Sequence, residues 1–170
     1  ANKSVQKLFK IADNLALTTA GLVGHAQALS RSLAAEMALF ELKRGHQMSV
    51  KGAATLTANI LGGRPHWVQL LIAGVDEDGA HVYSIDSAGG SIPDSYCATG
   101  SGSPYMYGVL EDGFKENMSR DDAVALAARS LSASAQRDAA SGNGMDLAVI
   151  TAKDGYVPVE QSEIAAVLKK

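Results

Sequence analysis

Residues 67–86 read "WVQLLIAGVDEDGAHVYSID". Two runs rich in β-branched and aromatic residues, "WVQLLIAGV" and "AHVYSID", flank Asp76, Glu77, Asp78 and Gly79. The pattern predicts a hairpin, because the flanks favour extended backbone while the acidic residues and glycine favour a tight reversal. A hairpin joins antiparallel neighbours, whereas parallel neighbours need a long, usually helical, crossover. The rest of the chain then has to supply the layers that cover an antiparallel sheet.

Upstream, "VQKLFKI" and "LALTTAG" flank Ala12, Asp13 and Asn14 and predict a second hairpin with an Asp-Asn turn. From Leu22 to Arg44, Val23, Leu29, Leu33, Met37, Phe40 and Leu42 recur with helical periodicity, and Gly45 follows as a stop. Ser49 is placed to cap a second helix through Val50, Leu56 and Ile60, ended by Gly62, Gly63 and Pro65. Downstream, "SYCATG" (95–100) predicts one more short strand, and "SGSPYMYGVLEDGF" (101–114) turns into a helix. Ser119 with Asp122 three residues on resembles an acidic capping box for a helix to about Ala139. "MDLAVIT" and "YVPV" predict a closing hairpin around Lys153, Asp154 and Gly155, before a terminal helix in "EQSEIAAVLKK". Strand pairs alternating with helix pairs predict an α+β protein: antiparallel sheets stacked face to face with helices outside, a four-layer αββα sandwich.

The 170 residues suffice for one well-buried core, so residues 1–170 are expected to form a single domain. A net charge of −3 without a basic stripe argues against nucleic acid. Apolar runs broken by Gln, Lys, Glu or Gly argue against a membrane span, and "ANKSVQKLFK" has no signal-peptide core. A cytoplasmic protein is the expectation. Cys97 is alone, which excludes an internal disulfide, and His25, His46, His66 and His81 lack ligand spacing, so neither a metal nor a cofactor is expected.

One stretch stays open on these grounds. "QRDAASGNGMDLAVIT" (136–151) sets Asp138 and Ser141 among small residues at an expected helix end. Gly142, Asn143 and Gly144 suit a helix stop, while Asp138 and Ser141 also suit a polar site.

The phrases "LTTAGLVG", "VQLLIAGVDEDGAHVYSIDSAGGS", "ATGSGSPYMYGVLE" and "RDAASGNGMDLAVIT" occur in that order. Together they closely resemble proteasome β subunits of archaeal type, over essentially the whole chain. The resemblance implies the αββα fold of N-terminal-nucleophile hydrolases. It also implies β subunits in a seven-membered ring, a second such ring and α-type subunits as partners, and unfolded polypeptides as substrates of a threonine-type endopeptidase.

By the same resemblance, Lys7 matches the lysine that lowers the nucleophile's proton affinity and assists proton transfer. Asp138, Ser141 and Ser101 match the polar groups that support the nucleophile. Gly21 matches the glycine whose backbone N–H donates to the oxyanion. Val5, Phe9, Thr19, Val23 and Gln27 match substrate-pocket positions, although Val5, Phe9 and Val23 equally suit a core. Without the resemblance, Lys7 reads as a solvent-facing strand lysine and Gly21 as an ordinary glycine ahead of a helix.

Two departures stand out. The family's chains begin, after propeptide removal, with a threonine whose hydroxyl attacks while its α-amine acts as base. Here residue 1 is alanine, and internal Thr18 and Thr19 have no free α-amine. Measured against the family, the first strand pair is expected to be missing, together with the nucleophile and the lysine's acidic partner, and the 170 residues alone are expected to be inactive. His25 stands where the family usually has aspartate. Two expectations follow: a threonine peptidase subunit, or a non-catalytic structural ring subunit. Phosphate binding by "GSGSP" is set aside, because the lysine of a phosphate-binding loop is absent.

Overall fold

The computed structural model describes residues 6–21, 23–62, 68–86, 88–137 and 144–170. Over these the chain runs β1 (Leu8–Ala12), β2 (Leu15–Gly21), α1 (Val23–Arg44), α2 (Val50–Leu61), β3 (Val68–Asp76), β4 (Gly79–Ile85) and β5 (Ser91–Asp94). It continues through α3 (Ser103–Gly113), α4 (Arg120–Arg137), β6 (Ala148–Thr151), β7 (Gly155–Pro158) and α5 (Gln161–Leu168). This is the expected α+β class with antiparallel sheets. The chain divides into two compact units, one holding residues 6–99 and 150–156 and the other residues 100–149 and 157–170.

In the first unit β1 to β5 form one sheet in sequence order, each strand antiparallel to the next. The hairpin at 76–79 is present: Asp76 pairs with Gly79, whose φ of +110° suits glycine. The register places Phe9 opposite Leu17, Leu17 opposite Ile72, and Leu70 opposite both Thr19 and Ile85. These apolar residues therefore share one face. That face packs with Leu29, Leu33 and Met37 of α1 and Val50, Ala53, Ala54 and Leu61 of α2 in a single core. Leu15, Leu17, Leu33, Leu70 and Ile72 are fully buried, each contributing about 1.5–3 kcal/mol.

The helices stop where local chemistry says they should. Lys43 and Arg44 occupy the last turn of α1, favourable to its dipole, and Gly45 (φ +76°) donates its N–H to Glu41 O at 2.9 Å. Ser49 Oγ accepts from Gly52 N at 3.0 Å, capping α2 as expected.

One strand lies elsewhere than expected. Residues 95–100, "SYCATG", are not a strand; β5 is Ser91–Asp94, wholly exposed at the sheet edge. Pro93 sits opposite Tyr83 there. A proline lacks the N–H a central strand must donate, so it reads as a loop in sequence yet is tolerated in an edge strand. Asp94 Oδ1 then accepts from Ser95 N at 2.7 Å, next to the strand's end.

In the second unit α3 packs on α4 so closely that a Cβ on Gly113 would lie 2.5 Å from Leu126 Cδ1. Ser119 Oγ accepts from Asp122 N at 3.2 Å at the start of α4. Val124, Ala128, Val159 and Ile164 form a core with Met145, Leu147, Val149 and Val167. Arg120 forks onto the Glu163 carboxylate, with Nη2 donating to Oε2 at 3.0 Å, and this ties α4 to α5. Apart from the five-stranded sheet, β6 and β7 pair with each other as the expected closing hairpin, of which residues 150–156 belong to the first unit.

Candidate active site

The first unit gathers several of the residues singled out above at one end of its sheet. Thr19 N donates to Lys7 O at 3.0 Å, continuing the β1–β2 ladder one pair beyond Leu8 opposite Thr18. Lys7 thus lies across from Thr19. Strand alternation gives both the face that carries Phe9 and Leu17. Lys7 is exposed, Thr19 half-buried and Phe9 only 9% exposed, so the face passes from core to solvent over two residues of β1.

Gly21 ends β2 opposite Val68, with φ of +126°. Only glycine adopts this conformation without strain, which places a residue lacking Cβ two positions beyond Thr19 on the same face. α1 begins at Val23, and Gln27 is exposed on it. α1 packs on β1 and β2. Thr19, Phe9 and the first turns of α1 therefore border the end of the sheet that bears Lys7 and Gly21.

Not every candidate can be placed. Val5, Asp138 and Ser141 lie outside the described residues, as does the side chain of Val23. The question posed by residues 138–143 therefore lies outside them too; α4 is described through Arg137. Ser101 belongs to the second unit, exposed in the turn that leads into α3, where Ser103 N donates to Gly100 O at 3.1 Å.

Two clusters in the first unit escaped the sequence reading. Asp76 is one: its side chain is 12% exposed, Oδ2 accepts from Val50 N at 2.9 Å, and Oδ1 meets Asp78 N at 2.9 Å and His81 Nε2 at 3.1 Å. Burial pushes this carboxyl up, but the two backbone N–H groups and His81 outweigh it and leave it below its ordinary value. Asn14 is the other. Its backbone O accepts from Val75 N at 3.0 Å, and Nδ2 donates to Val75 O at 3.0 Å and Met48 O at 3.4 Å. A signal for it existed in Gly74, an isolated glycine within a strand pattern, which marks a close backbone approach.

Cys97 is half-buried, and burial with Asp94 nearby pushes its thiol up to about 11, away from nucleophilic use. Among the described residues no group of histidine, cysteine and carboxylate side chains could hold a metal ion. No described helix is long and apolar enough to cross a membrane.

Comparison with known proteins identifies the family. The proteasome subunit family model matches residues 1–150. Proteasome subunit beta of Methanosphaera stadtmanae is 45% identical over 170 residues, covering 100% of this chain and 82% of the relative. That of Picrophilus torridus is 47% identical over 173 residues with the same shares, and that of Thermoplasma acidophilum 47% over 172, covering 99% and 81%. The α+β architecture with antiparallel sheets is consistent with the N-terminal-nucleophile hydrolase fold of that family. The chain belongs to the proteasome subunit family, as a β-type subunit of the core particle.

Proposed function

We propose that this β-type subunit serves threonine-type endopeptidase chemistry on unfolded polypeptides, within a cytoplasmic ring of seven such subunits that pairs with a second ring and with α-type subunits. One observation carries the reading: Lys7 is held opposite Thr19, and Gly21 follows on the same face in a conformation reserved for glycine. A lysine and a Cβ-free residue at the solvent edge of a core are what an attacking hydroxyl and an approaching carbonyl need together.

In the reaction, a terminal threonine hydroxyl adds to the scissile carbonyl while the α-amine takes its proton. The carbonyl π pair becomes the oxyanion, and collapse expels the amine of the leaving peptide, which receives that proton. Water then attacks the ester and releases the second product. Lys7 supplies positive charge near the nucleophile oxygen, lowering its proton affinity. Gly21 N–H donates to the oxyanion, an interaction typically worth about 10²–10³ in rate. By the family resemblance, orienting the hydroxyl and amine is assigned to Asp138, Ser141 and Ser101. By the same resemblance, Val5, Phe9, Thr19, Val23 and Gln27 are assigned to the pocket for the residue before the scissile bond. Thr18 and Thr19 lie within β2 and have no free α-amine, so neither fits the nucleophile's role.

The test is intact-mass analysis of the natural mature chain, followed by reaction with a threonine-directed electrophile. A single adduct on an N-terminal threonine supports the peptidase. A mature chain that starts at Ala1 and takes no adduct leaves the structural ring subunit in its place.

A further inference from the structure

We infer that Asn14 and Gly74 are positioning residues for the proposed site: together they lock the register of β2 on β3, and so set where Lys7, Thr19 and Gly21 stand at the other end of the same ladder. The inference rests on the site reading above for its functional consequence, though not for the lock itself.

The other hairpin registers are fixed by short turns, Asp13–Asn14 between β1 and β2 and Glu77–Asp78 between β3 and β4. β2 and β3 have no such turn, since α1 and α2 lie between them in the chain. Side-chain alternation fixes their pairing only in part. A slip by one residue would throw Leu70 and Ile72 to the wrong face, but a slip by two keeps every side chain on its own face. It is also poorly opposed by β2, where Leu15, Ala16 and Leu17 are all buried whichever way they point.

Gly74 opposes that slip. It pairs with Leu15, and a Cβ there would fall inside van der Waals contact of Asn14's backbone oxygen and 3.0 Å from Leu15 Cδ1. Gly74 is the one glycine of β3. A two-residue slip brings Ile72 or Asp76 into its place, each with a Cβ. Asn14 adds the attractive half: its backbone O and side-chain Nδ2 take up both polar backbone groups of Val75, and Nδ2 also reaches Met48 O. In the slipped pairings these bonds to Val75 are lost. Asn14 is 7% exposed, so its unpaired amide would be costly. The ladder then runs unbroken from Leu15–Gly74 to Gly21–Val68. A two-residue slip would carry Gly21, and Lys7 with it through β1, about 7 Å along β3.

The experiment is oxidative cross-linking of the full chain carrying Cys97→Ala and paired cysteines, read by mass spectrometry. Ala20→Cys with Gln69→Cys reports the observed register, in which these residues are opposite. Ala20→Cys with Leu71→Cys reports a two-residue slip. The observed pair is expected to cross-link at least about tenfold better, as one fixed register requires. Adding Gly74→Ala is expected to bring the two yields within about threefold and, in glycine-labelled protein, to move or split the Gly21 amide resonance. A merely stabilising role would lower the melting temperature and leave both readouts unchanged in the folded protein. Should Gly74→Ala not fold, Asn14→Ser introduces no clash and is read the same way. Retention of the observed register and an unmoved Gly21 resonance in whichever variant folds overturns the inference. Because the cross-link needs no turnover, its result stands apart from whether the site is a peptidase.

Discussion

Asp76 shows how one carboxylate can tie three parts of the chain together: the first residue of α2, the turn after β3, and His81 on β4. Asp76→Asn keeps the shape but gives one oxygen and an amide where two accepting oxygens stood. A loss of about 1–3 kcal/mol is expected, since buried donors are left unmet. Because the folded carboxyl titrates below its ordinary value, its contribution is complete above the unfolded value, near 3.8, and is lost as pH falls through the folded one. Urea midpoints from pH 7 to pH 3 should therefore show wild type and variant converging only at the acid end. A constant gap would contradict the assignment. Gly21 makes a second residue-scale case. At φ +126°, Gly21→Ala should cost about 1–3 kcal/mol in strain, measured by thermal or denaturant unfolding. A neutral result would mean the strand end adapts freely.

At the scale of elements, α2 is the part whose sequence signals agree most fully: an N-cap serine, six buried positions on one side and a glycine after its end. Ser49→Ala should cost about 0.5–2 kcal/mol by removing the acceptor for Gly52 N. Leu33→Ala in α1 should cost about 2–5 kcal/mol, since Leu33 is wholly buried between the helices and the sheet. Comparable losses at exposed Leu42, 83% accessible, would overturn the burial argument. The hairpins were legible because acidic-glycine or Asp-Asn turns lie between β-formers, and α2 and α4 because a capping serine opens each. β5 was not, because Ser-Ile-Pro-Asp carries a proline and no buried residue; only its pairing with β4 makes it a strand. Of the Asn14–Val75 contact the sequence carried only the isolated Gly74, since the partners are separated in the chain by two helices. For the proposed site, Lys7, Thr19 and Gly21 were singled out only through family resemblance; composition and spacing alone favour a surface lysine and an ordinary glycine.

For the whole molecule, family membership leads to an oligomer. The chain should sediment as a ring-sized species; a well-folded monomer over a broad concentration range would count against ring formation. A polypeptide starting at Ala1 carries an α-amine without the neighbouring hydroxyl, so that polypeptide alone should neither hydrolyse peptides nor take a covalent adduct at Thr18 or Thr19. The most direct test of the central claim joins to Ala1 a family-type strand pair that begins with a free threonine, and measures peptide hydrolysis with and without Lys7→Ala. The account predicts turnover in the first protein and a loss of about 10²–10⁴ in kcat in the second, with its fold and assembly retained. Equal turnover in the two would contradict it.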